Sequence, residues 1–99
     1  MHFLVFEVSP DPSSPDHGQV GGAFASCWVA TTDPTVAEQE ARSLLEDSGW
    51  RVRGGPPDEC YAVTRDRYES DAVKLDRFDR AAAEGVLVTL HTWPVGAEH

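Results

Sequence analysis

The sequence predicts an α+β fold, on three observations. Two segments carry apolar residues at helical spacing, the first running from Asp33 to Gly49 and the second from Ser70 or Asp71 to Gly85, and each has a capping residue in front and a glycine behind. Five other segments are rich in Val, Phe, Trp, Leu or Thr and are bounded by Gly, Pro or Ser. All seven fit in 99 residues, a length that favours a single domain over 1–99, in the order β-β-α-β-β-α-β.

The first strand is expected over Phe3 to Val8, stopped by Ser9-Pro10. Residues 9–22 read as a flexible loop, because three prolines with Ser, Asp and Gly leave almost nothing to bury. Ala23 to Thr31 reads as a second strand, with Phe24, Ser26 and Trp28 on one side and Ala23, Ala25, Cys27 and Val29 on the other. Both sides are partly apolar, which places it centrally. Asp33 caps the first helix with Pro34 at its first position, Thr35 with Glu38 being an alternative cap. Ala37, Ala41, Leu44, Leu45 and Ser48 form its inner face. Trp50 to Arg53 and Cys60 to Arg65 read as a hairpin around Gly54-Gly55-Pro56-Pro57-Asp58. Leu75, Phe78 and Ala82 stripe the second helix, and Val86 to Trp93 forms the last strand before a frayed tail over 94–99.

Without its first strand, the order over roughly 21–93 is β-α-β-β-α-β. It resembles the ferredoxin-like, split β-α-β superfold. That resemblance implies a two-layer sandwich, with both helices on one sheet face and an extra N-terminal strand that either extends the sheet or pairs with the second strand, the latter breaking the standard order. It implies no activity, because the superfold hosts many. No iron–sulfur cysteine spacing accompanies it.

Charge narrows the partners. With 17 acidic residues against 8 basic the net charge is −9, which repels nucleic-acid backbones and anionic membranes and leaves a basic protein as a permitted partner. Met1 to Glu7 has no basic start and no long apolar run, and two distant cysteines make no disulfide framework, so a cytoplasmic protein with reduced thiols is expected.

No motif assigns a chemistry. Gly18-Gln19-Val20-Gly21-Gly22 runs into a strand, not the helix N-terminus that a phosphate loop requires. No close Cys or His pairs mark a metal site, so neither metal nor cofactor is expected. Cys27, Cys60 and His91 meet only if the fold converges them, and His17 with Asp11 and Asp16 is a weaker loop alternative. His91 has the residue type for acid–base work. Arg51, Arg53, Arg65 and Arg67 make a local positive spot, suited to a carboxylate or phosphate or to pairing with the chain's own acids such as Asp58, Glu59 or Asp66.

Phe24, Trp28, His91 and Trp93 are the candidate ligand or interface residues, since the strand phases put them on one sheet side. The leading expectation is a non-enzymatic interaction module that homodimerises through an open sheet face. One alternative is a small-molecule or catalytic pocket near Trp28, His91 and Trp93. Another is an acidic inhibitor or immunity-type protein for a basic partner.

Overall fold

A computed structural model describes residues 1–15 and 17–96. The chain is α+β, with a five-stranded antiparallel sheet and two helices. The elements are β1 (His2–Pro10), β2 (Val20–Val29), α1 (Pro34–Asp47), β3 (Trp50–Val52), β4 (Glu59–Ala62), α2 (Ala72–Glu84) and β5 (Val86–Pro94), with a 3-10 turn at Arg65–Tyr68 before α2. The expected loop over 9–22 is shorter. Ser9 and Pro10 extend β1, Val20 to Gly22 extend β2, and the residues between form turns in which the Ser14 N–H donates to Asp11 and the His17 N–H to Ser14. Of the tail expected over 94–99, Pro94 belongs to β5 and residues 97–99 lie outside the described residues.

The strand order is β3-β1-β2-β5, with β4 also on β1. The ferredoxin-like order expected from the element sequence would set β4 between β2 and β3; β1 holds that place. The cause is local. β1 and β2 are consecutive and zip together, from Val8 opposite Ala23 to His2 opposite Val29, and both faces of β1 are apolar enough for a central strand.

Nor do β3 and β4 form a hairpin. They run in one direction along the same edge of β1. Val8 opposes Val52 and Val5 opposes Glu59, so three steps on β1 match seven on the edge and four residues loop out. Gly54 supplies a left-handed φ of 77° in this excursion.

The helices lie on opposite sheet faces, where one shared face was expected. Ala37, Ala41 and Leu45 of α1 pack on Leu4, Phe6, Val8, Ala25 and Cys27. Ala81 of α2, with Leu75 and Phe78 beside it, packs on Trp28, Phe3 and Leu87. Phe3 opposes Trp28, and Trp28 opposes Leu87, which places this second cluster on the reverse side of the sheet. Ala81, not Ala82, is the fully buried alanine of α2. Both helix starts follow the sequence reading. Asp33 accepts from the Thr35 N–H at 2.8 Å and the Val36 N–H at 3.4 Å, and Asp71 accepts from the Lys74 N–H at 3.1 Å, each cap being worth about 1 kcal/mol.

α2 covers only one end of its face. Over Trp28 the stack is helix, sheet, helix. The α2 cluster takes in Trp28 and Leu87 but neither Phe24 nor Trp93.

Candidate functional site

The strand register draws the half-open face as rows. Arg53, Glu7, Phe24 and His91 cross the sheet in one row: Phe24 opposes both Glu7 and His91, and the Arg53 N–H donates to the Glu7 carbonyl. In the next row toward the loop, Arg51 faces Ser9 at one edge and Trp93 faces Gly22 at the other. Trp28 shares this face but lies two rows from Phe24 in the opposite direction, beneath α2.

Three of the four candidates therefore gather and one does not. The Phe24 and Trp93 rings meet edge to face, with centroids 5.4 Å apart, and His91 stands opposite Phe24 on exposed β5. Trp28 is 2% exposed, packs on Phe3 at 4.9 Å and donates its indole N–H to the Tyr68 hydroxyl at 3.3 Å. It is a core residue. Tyr68, which closes this arrangement from the 3-10 turn, carries no sequence signal that would have paired it with Trp28.

The Trp93 indole lies against Gly22. A Cβ built there would stand 2.5 Å from Cζ2 and 2.9 Å from Cε2 of the ring. This glycine leaves room for a neighbour; its φ is ordinary.

Of Arg51, Arg53, Arg65 and Arg67, three pair with the chain's own acids, though with other acids than the sequence suggested. Arg51 Nε donates to Asp11 at 2.9 Å, and Arg53 Nη1 lies 3.4 Å from Glu7. Arg65 meets Asp79 through two bonds, of 2.9 and 3.1 Å. Arg67 lies over the Tyr61 ring at 5.0 Å. The Arg51–Asp11 pair ties the loop to β3.

The Asp11 carboxyl is held at about 2, below the ordinary 3.8, first by the Ser13 N–H, then by the Ser13 hydroxyl and by Arg51. A carboxyl depressed on folding stabilises the fold above its ordinary pKa and ceases to do so as pH falls through the folded value. The tether is thus expected to be complete above pH 3.8 and to be released as pH drops to about 2. Titration of the Asp11 carboxyl carbon by NMR should show a midpoint near 2, rising part of the way toward 3.8 in Ser13→Ala, which keeps the N–H bond, and further when Arg51→Gln is added; a native midpoint at 3.8 would refute these bonds.

The cysteine and histidine combinations do not form. Cys27 and Cys60 both oppose Leu4, one on each side of β1, so their Cα atoms are two strand spacings apart, about 10 Å. That exceeds disulfide reach. Cys27 lies in the α1-side core while His91 stands on the reverse face, and burial pushes the Cys27 thiol up to about 12, which leaves it unreactive. The Cys60 thiol is also raised, first by desolvation and then by Glu38. Asp16 of the loop alternative lies outside the described residues. Among the described residues no three His, Cys, Asp or Glu side chains form a metal-holding group, and no helix is long and apolar enough to cross a membrane.

A cavity of about 570 Å³ opens at the loop end of this face, between β3 and the end of β5. Arg51, Arg53, His17 and Trp93 line it, with Pro12 and Gly18 of the loop. Trp28 and His91 do not.

Compared with known proteins, the chain matches no family model, no curated protein and no solved structure.

Proposed function

We propose that this chain is a non-enzymatic interaction module that forms a homodimer. The contact runs along the outer edge of β5, beside the open end of the face where Phe24, His91 and Trp93 stand.

The observation that carries this reading is the chemistry of β5. It is the last strand of the sheet, nine residues long, and pairs with β2 on one side. The Ala30 N–H donates to the Gly85 carbonyl at 2.8 Å, so Gly85 points inward. By the alternation of an antiparallel ladder, Val86, Val88, Leu90 and Thr92 direct their N–H and C=O groups away from β2. Pro94 takes the next outward place, where its missing N–H costs nothing.

Soluble proteins ordinarily protect such an edge with charge, above all lysine. Here residues 85–96 contain no Asp, Glu, Lys or Arg. Leu90 is 41% exposed beside this edge. Two chains at −9 repel each other over most of their surface, and along β5 they meet without opposing carboxylates. A two-fold register centred on Leu90 pairs Leu90 with its counterpart and Val88 with the partner's Thr92. It satisfies the outward groups and covers the exposed leucines.

The test is solution mass by light scattering. The native chain should weigh about twice its 10.8 kDa. Thr92→Pro removes one outward donor and Leu90→Lys adds charge to the edge; each should give a folded monomer with a circular-dichroism spectrum like the native one. A native monomer, or a Thr92→Pro chain that remains dimeric, would overturn the edge pairing.

A further inference from the structure

We infer that the cavity between the β1–β2 loop and the end of β5 binds a small organic anion, with its carboxylate or phosphate at Arg51 and Arg53 and a flat ring at Trp93. This is a site separate from the proposed dimer contact. It brings together three features that share no sequence neighbourhood: a proline-rich loop, a pair of arginines on a short edge strand and a tryptophan at the far edge of the sheet.

The charge distribution is the first argument. The chain has 8 basic residues against 17 acidic ones, yet two arginines and His17 converge on one cavity of about 570 Å³. That volume suits a ligand of metabolite size. Asp11 and Glu7 offset the two guanidinium charges, but neither carboxylate is among the residues that line the cavity, so among the described residues its wall presents guanidinium N–H donors and no carboxylate.

Geometry is the second. Arg51 and Arg53 are two residues apart on an extended edge, which puts both guanidinium groups on the same face. Each meets a carboxylate through one nitrogen, Arg51 by Nε with Asp11 and Arg53 by Nη1 with Glu7. A guanidinium has five N–H donors, so both keep donors for a second acceptor, and both side chains are more than half exposed. The two pairings orient the arginines without exhausting them. Forked donors of this kind match the paired oxygens of a carboxylate or phosphate.

The wall is the third. Gly22 lets the Trp93 indole settle against the sheet, and Phe24 braces it edge-on at 5.4 Å. The ring is therefore held in place before a ligand arrives, which lowers the ordering cost of binding. A bare anion would leave this aromatic wall unused; an anion on a flat ring covers it.

Phenyl phosphate and benzoate are the probes, with inorganic phosphate lacking the ring and benzyl alcohol lacking the charge. Tryptophan fluorescence and amide shifts should saturate with phenyl phosphate or benzoate at least tenfold more tightly than with either control; the tighter of the two anions tells phosphate from carboxylate recognition. Shifts should centre on the Trp93 indole N–H, Gly18 and Arg53. Arg51→Gln with Arg53→Gln should weaken binding at least tenfold while leaving the circular-dichroism spectrum unchanged. Leu90→Lys, tested in parallel, should bind as the native chain does whatever its mass, so the site and the dimer succeed or fail independently. No saturable binding of either aromatic anion, shifts centred elsewhere, equal binding of inorganic phosphate, or equal binding by the double-glutamine chain would each overturn the site.

Discussion

Trp28→Ala is expected to lower the unfolding free energy by about 3–5 kcal/mol. Small domains have about 5–15 kcal/mol in total, so this one change removes a large share. The size of the effect follows from what the indole joins. It packs on Phe3 of β1, donates to Tyr68 of the 3-10 turn at 3.3 Å and has the Arg77 guanidinium of α2 over it at 5.7 Å. Truncation opens a cavity and leaves the Tyr68 hydroxyl without that partner. Because the same ring anchors α2 to the sheet, helicity should fall before β-structure as denaturant rises. Urea unfolding followed by circular dichroism measures both. A loss below about 1.5 kcal/mol would mean that α2 is held by other contacts.

Gly22→Ala should cost about 1–3 kcal/mol, through crowding rather than through backbone strain. The new methyl would sit 2.5 Å from Trp93 Cζ2 and 3.0 Å from the Val8 carbonyl oxygen. The indole must swing off the sheet, which breaks its edge-to-face contact with Phe24 and shifts its fluorescence to longer wavelength. The diagnostic is a double-mutant cycle. With Trp93→Ala in place, the ring that obstructs the methyl is gone, so the Gly22→Ala penalty should shrink by at least 0.5 kcal/mol. Additive losses would show that the glycine is required for some reason other than the tryptophan.

Much of the local structure was legible in the sequence because its causes are local. Asp33-Pro34 and Asp71 start helices by capping, Gly49 and Gly85 end them with left-handed φ values of 91° and 93°, and strict alternation put Phe24, Trp28, His91 and Trp93 on one side of the sheet. What the sequence did not show is which strand lies beside which. Alternation around Gly54-Gly55-Pro56-Pro57 looks the same whether the chain reverses there or loops out and continues. β1 at the centre and a helix on each face follow from that pairing, and with them the burial of Trp28. The loop's part in a cavity was also invisible, since it depends on Trp93 lying across the sheet from Arg51. One further signal is legible in the sequence alone: the absence of Asp, Glu, Lys and Arg from 85 to 96 in so acidic a chain.

The two borders of the sheet differ in what they permit. On the β1 side the border consists of three residues, a looped-out Gly-Gly-Pro-Pro run and four more, flanked by Arg51, Arg53 and Glu59. No straight strand can be added along it. On the β5 side the border is long, straight and neutral. In the proposed dimer, a sheet with one receptive border joins one neighbour and then has nothing left to offer, so growth would terminate at a pair. Straightening the interrupted border, by deleting the four looped-out residues, would make both sides receptive and turn a self-limiting contact into one that propagates as a fibre.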